Sequence, residues 1–294
     1  MPYICVVSHF WTRIFLNASG SGKTRILLEG LLKHWGLYLV CAKSRAASVG
    51  LRDLPDMIEK LPHWAGFNQH YAPSNEVIAQ RTLVRIFASR LYILSEYLAL
   101  WQDRGGKDEA LVRQYWVLAQ VQTTNDMFKT LATRLKDFSN NFVSELLEGS
   151  ARSIRKTVTN KSVFIVIDEA QSAAAALSGA FQSKKLPEAT RPVLSEILRE
   201  CIPVQEALGS SRTTVIISGT GINYDTIVSV VESNITKSTG LNVTTFTGRF
   251  DRETQGAYIR KYLFAETTHS PDLQMKVIER AWRLLSGRSV SSSW

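Results

Sequence analysis

Two rhythms of hydrophobic and polar positions alternate along the chain. Short unbroken apolar runs occur in a first segment ending near Leu16, in "LYLVCA" (37–42), in "SVFIVIDEA" running into Asp168, in "TTVIISGTG" and in "NVTTF". Runs of this length, apolar at successive positions, suit strands covered on both faces, as in a parallel sheet. Between the first two lies an amphipathic stretch that predicts a helix from Lys23 to about Trp35, ended by Gly36. The expected class is α/β, with a mostly parallel five-stranded sheet.

A different character takes over between the second and third strands. The segments "NEVIAQRTLVRIFASRLYILSEYLALWQ", "DEALVRQYWVLAQVQ" and "TNDMFKTLATRLKDFSNNFVSELLEG" place apolar residues at three-and-four spacing, with "DRGGKD" as a turn between the first two. They predict a helical insertion over about residues 74–160, preceded by an irregular lead-in, "GLRDLPDMIEKLPHWAGFNQHYAP", punctuated by Gly and Pro. Trp101, Tyr115 and Trp116 fall at helical spacing within it and are expected to pack against neighbouring helices rather than stack on bases. After the fifth strand, "DRETQGAYIRKYLFAE" and "PDLQMKVIERAWRLLSG" read as amphipathic helices before a terminal run of serines. The expected organisation is therefore a core over 1–248 and, over 249–294, the start of a helical lid or appended domain, cut short.

Composition adds a few bounds. With 294 residues, 45% of them apolar, the chain can bury a sizeable core, and its formal net charge of +9 favours phosphate-rich partners such as nucleotides, with nucleic acid a further option. Cys5, Cys41 and Cys201 are far apart and odd in number, so they spell neither a disulfide framework nor paired zinc ligands, and they read as small hydrophobes. The apolar run "LYILSEYLALW" is interrupted by Glu96 and is too short for a membrane span. The N-terminus lacks the charge pattern and cleavage site of a secretory signal.

Chemistry enters at "LNASGSGKTRILLEGL", residues 16–31. Binding a triphosphate takes backbone N–H groups aimed at its oxygens, a lysine reaching the β and γ phosphates, and a hydroxyl for magnesium. The segment from Asn17 through Ala18, Ser19, Gly20, Ser21 and Gly22 supplies the turn, Lys23 the charge, Thr24 the hydroxyl, and Arg25 the next residue of the helix. Asn17 stands where the pattern G-x-x-x-x-G-K-[ST] has glycine, and asparagine is among the few other residues that enter the left-handed region readily.

The second motif is "VFIVIDEAQ". Asp168 at the end of a buried strand can hold magnesium through a water, and Glu169 can polarise an attacking water, which favours hydrolysis over transfer. The 144 positions separating Thr24 from Asp168 place another strand between the two motif strands, as in additional-strand P-loop ATPases, whose sheet order would be 5-1-4-3-2. Ser218 and Thr220, ending the fourth strand, occupy the place of a γ-phosphate sensor, and Gln171 could reach the same phosphate or water. Arg249 and Arg288 are candidates for charge stabilisation in the transition state, though both also suit an exposed surface.

Together "ASGSGKTRILLEGLLKHWGLYLV", "FIVIDEAQSAA", "RPVLSEILRE", "VIISGTGINYDTI" and "FTGRFDRETQGAYIRKYL" resemble the P-loop domain of fungal and oomycete Crinkler-type effectors, related to trypanosome retrotransposon hot spot proteins. The resemblance covers about residues 16–288. It implies a modular protein with a targeting header, an ATPase and a C-terminal effector domain, delivered to a host cell or nucleus. It would make Lys23 and Thr24 the phosphate and magnesium residues and Asp168 and Glu169 the metal and water-activating pair. No leucine-phenylalanine-leucine header precedes the loop, and no effector domain follows, so a truncated relative is expected. The expected function is Mg-ATP hydrolysis driving a conformational change, felt by a protein partner or host target through the helical regions. The alternatives are a nucleotide switch with little hydrolysis and a basic nucleic-acid-associated module.

Overall fold

The computed structural model describes residues 11–16, 23–42, 51–68, 72–121, 126–159, 161–183, 189–221, 241–244, 253, 256–257, 259–260 and 270–285. In chain order the elements are β1 (Trp11–Leu16), α1 (Lys23–Lys33), β2 (Trp35–Val40), α2 (Asp53–Lys60), α3 (Ala72–Asp103), α4 (Glu109–Val121), α5 (Met127–Arg134) and α6 (Asn140–Thr157). There follow β3 (Val163–Asp168), α7 (Ala170–Ala175), β4 (Phe181–Gln182), β5 (Thr190–Arg191), α8 (Val193–Leu208), β6 (Thr213–Gly219), β7 (Leu241–Thr244) and α9 (Pro271–Leu285). The protein is α/β, mostly helical, around a parallel sheet.

Four strands form the body of that sheet in the order β2-β3-β6-β1, and β7 runs parallel along the outer side of β1. Two further strands were not expected. β4 and β5 pair antiparallel in a separate ribbon of two residues each, too short to carry any period in the sequence.

Side-chain alternation sorts the core into two layers. On one face Leu37 and Leu39 of β2, Ile165 and Ile167 of β3 and Ile217 of β6 pack in one cluster with Phe87 and Leu91 of α3, Ile154 of α6 and Ile197 of α8. On the other face Tyr38, Val40, Val166 and Ile216 meet Leu27 and Leu31 of α1 and Val117 of α4. Cys41 and Cys201 are free, buried and apolar in role, while Cys5 lies outside the described residues.

Three elements differ from expectation. α1 stops at Lys33, and Trp35 and Gly36 belong to β2 rather than to the helix end. Gly36 faces the β3 backbone so closely that an added Cβ would lie 2.3 Å from the Phe164 carbonyl oxygen, so the residue is set by strand contact. The irregular lead-in contains α2, because Pro55 sits in its first turn, where a missing N–H removes no helical bond. The last predicted helix of the insertion is two, α5 and α6, broken at Phe138 and restarted by Ser139, whose hydroxyl accepts from the Phe142 N–H.

β2 is an edge strand, yet every residue in it is buried. Side chains from the helical insertion supply the hydrogen bonds that a neighbouring strand would have made. The Gly36 carbonyl accepts from Trp116 Nε1 at 2.7 Å and Gln120 Nε2 at 3.3 Å, the Tyr38 N–H donates to Gln120 Oε1 at 2.8 Å, and the Tyr38 carbonyl accepts from Arg90 at 2.8 Å. An open edge would invite pairing with another chain, and a buried edge without partners would be costly. Arg90 is itself held in a two-pronged pair with Asp53 at 2.6 and 2.7 Å, both residues fully or nearly buried, and lies over the Phe128 ring.

Trp116 packs as expected against a neighbouring helix, on Phe128 of α5, whereas Trp101 packs on Trp35 of strand β2 and Tyr115 is 56% exposed. α4 buries Trp116, Val117 and Gln120, and Tyr115 falls on its outer face. Among the described residues no helix is long and apolar enough to cross a membrane.

Candidate functional site

The carboxyl ends of β3 and β6 and the start of α1 converge on one point. Lys23 and Thr24 open α1, and Lys23 is only 8% exposed. Asp168 ends β3 at 2% exposure, on the same face as Val166 and hence facing α1. The contact follows directly: Thr24 Oγ1 donates to Asp168 Oδ2 at 2.8 Å, joining residues 144 positions apart. Extending the β3–β6 register by one step brings Ser218 beside Asp168, on that same face as Ile216. Ser218 is fully buried, and its hydroxyl has no hydrogen-bond partner among the described residues.

Asp168 is richly supplied with donors. The Tyr38 hydroxyl also donates to Oδ2 at 2.8 Å, and the Glu169 N–H donates to Oδ1 at 2.9 Å. Tyr38 is a residue that sequence reasoning missed. Its only signal was a phenol within an apolar strand, which reads as ordinary core. Its proton is bound more tightly than in water, through burial first and then the negative charge of Asp168, so the hydroxyl is a fixed donor at ordinary pH.

Glu169 stands at the turn from β3 into α7 in the left-handed region, with φ 54° and ψ 36°. Such a conformation costs a non-glycine residue on the order of 1 kcal/mol and survives where its surroundings over-determine it. Gln171 shows how: its side-chain amide donates to Glu169 Oε2, and its Oε1 accepts from the Thr220 N–H at 3.0 Å. Gln171 thus ties the β3 turn to the end of β6.

No match to this chain was found among protein-family models or among curated proteins. What the site can do therefore follows from its geometry.

Electrostatically, burial lowers the Lys23 pKa, and the negative charges of Asp168 and Glu169 pull it back upward. Arg25 turns outward on α1 and pairs with Glu29 at 2.7 Å, with its side chain 42% exposed. Asn17, Ala18, Ser19, Gly20, Ser21 and Gly22 lie outside the described residues, as do Arg249 and Arg288. Of the expected site, the structure thus brings Lys23, Thr24, Asp168, Glu169, Ser218 and Thr220 to one end of the sheet.

A magnesium ion takes oxygen ligands and commonly keeps its waters while sharing substrate phosphates. Among the described residues no group of three His, Cys, Asp or Glu could enclose a metal. One hydroxyl and one carboxylate in contact, Thr24 and Asp168, with the buried Ser218 hydroxyl beside them, fit that sparser kind of site.

Proposed function

We propose that the chain is a P-loop nucleoside triphosphatase of the additional-strand type that binds Mg-ATP and hydrolyses it. The observation that carries the reading is the Thr24–Asp168 hydrogen bond, which joins the residues of the two motifs across an intervening strand, β6. A lysine whose charge is disfavoured by burial gains from an anionic ligand beside it. ATP over GTP rests on the absence of an N-K-x-D signature in the sequence. The resemblance to Crinkler-type effectors suggests that the module serves a larger protein acting on a host target.

In this reading Lys23 binds the β and γ phosphates, and Thr24 and Asp168 hold magnesium, which neutralises charge at the triphosphate when bound. Glu169 orients a water and accepts its proton as the water oxygen bonds to the γ-phosphorus and the bond to the β–γ bridging oxygen breaks. Ser218 offers an unspent hydroxyl toward the phosphate. Tyr38 keeps Asp168 in place throughout.

One observation favours a slower, switch-like alternative: the Glu169 carboxylate accepts from Gln171, an engagement it would have to share with a water. The test is phosphate release from Mg-ATP by the full chain beside Lys23→Ala and Glu169→Gln, with nucleotide binding measured in parallel. Turnover lost in both, with binding lost only in Lys23→Ala, supports the hydrolase. Tight binding without turnover in the unmodified chain supports the switch, and absence of binding ends both.

A further inference from the structure

A pocket lined by apolar carbon and several cations lies between α2, α3 and α5. Lys60, Arg85 and Lys136 line it together with Trp64, and none of the three cations has a carboxylate within ion-pairing distance among the described residues. Arg85 Nε is buried without a hydrogen-bond partner among the described residues. Lys136 Nζ rests over the Trp64 ring, 4.7 Å from its centre.

The acidic residues of the pocket are already committed. Asp53 is paired with Arg90, and Asp56 is held by Lys129 at 2.6 Å and by Arg52 at 3.4 Å. Asp137, which adjoins Lys136 in sequence, partly offsets the charge of Arg85 and Lys136. Burial, then the like charge of Arg81, lowers the Arg85 pKa, and burial, then Lys60 and Arg85, does the same for Lys136. Cations held together against their own repulsion gain from an anion, and a guanidinium is suited to phosphate oxygens.

Size narrows the ligand. The enclosed space is about 60 Å³, several times the roughly 10–15 Å³ that one water needs, so it admits a tetrahedral oxyanion. We propose that this pocket is a binding site for a phosphomonoester dianion, gripped by Arg85 and Lys136 with Lys60 at the rim. The inference is independent of the reading of the strand-end site.

The experiment uses the full chain carrying Lys23→Ala, so that the phosphate loop contributes nothing, and titrates inorganic phosphate by calorimetry. Arg85→Gln and Lys136→Gln are each expected to weaken binding by about tenfold, while Lys156→Gln, an exposed lysine outside the pocket, leaves it unchanged. Lys136 is exposed, so its variant stands even if Arg85→Gln fails to fold. Loss of all phosphate binding with Lys23→Ala, or equal weakening by Lys156→Gln, overturns the site. A short 5′-phosphorylated oligonucleotide and its 5′-hydroxyl twin then identify the source. Competition by the phosphorylated form alone assigns a chain-end phosphate, competition by neither assigns a small ligand, and equal competition by both overturns the monoester.

Discussion

The outer edge of β2 and the carboxyl ends of β3 and β6 handle polar groups in opposite ways. Along the edge, the Gly36 carbonyl and the Tyr38 N–H and carbonyl are each met by a side chain from α3 or α4, and the one charged donor, Arg90, is neutralised by Asp53. At the strand ends a buried hydroxyl, Ser218, has no partner among the described residues, Glu169 is held in the left-handed region, and burial lowers the Lys23 pKa. Full satisfaction suits a structural seam, whereas groups held in reserve suit a place where a ligand completes the set. Tyr38 belongs to both regions, since its backbone lies in the seam and its hydroxyl in the site.

The largest break is expected in the seam. Arg90→Ala leaves Asp53 buried and uncompensated and the Tyr38 carbonyl without its donor, so chemical denaturation should show a loss of about 3–5 kcal/mol. A change below 1 kcal/mol would mean that water replaces the guanidinium and that the edge is not sealed as described.

Tyr38→Phe cuts the bridge between the regions. Loss of a hydrogen bond to a carboxylate should cost about 1.5–3 kcal/mol of stability, and on the proposed reading it should weaken the dependence of turnover on magnesium more than it weakens nucleotide binding. An unaltered magnesium dependence would confine Tyr38 to the core.

Ser218→Ala should leave stability within about 0.5 kcal/mol of the parent or raise it, because no hydrogen bond is lost. A clear loss would show that the hydroxyl has a partner after all and would close the contrast between the two regions.

Smallest and subtlest is the effect of pH through Lys23. Its folded pKa lies below the ordinary lysine value, so the unfolded chain binds the proton more tightly and stability contributed by this group rises as pH climbs from the folded pKa toward 10.5. Lys23→Met should therefore be more stable than the parent at neutral pH, with an advantage that shrinks in alkali. A constant difference across that range would refute the account of a charge strained by burial.

Much of the frame was legible. The runs ending at Leu16 and Asp168 are strands because successive apolar residues can be buried on both sheet faces, and the three-and-four spacing of Leu83, Phe87, Leu91 and Leu94 could only cover a core as a helix. Boundaries were legible only in part. Gly36 looked like a helix stop, but its real constraint is the Phe164 carbonyl, a residue 128 positions later that no local pattern can announce. The break at Phe138 was hidden because α5 and α6 keep apolar spacing on either side of it.

The candidate site divides in the same way. Lys23, Thr24, Asp168 and Glu169 were visible in the sequence because a glycine-rich run ending in Lys-Thr and an acidic strand end are local patterns, written in consecutive residues. That Thr24 touches Asp168, that Tyr38 shares the same oxygen, that Gln171 spans from Glu169 to Thr220, and that Arg85 and Lys136 face one pocket were decided only by the tertiary structure. The physical reason is that periodicity and motif chemistry act over a few residues, while hydrogen-bond partners and shared pockets depend on which strand lies beside which, a choice settled by packing the whole sheet against its helices.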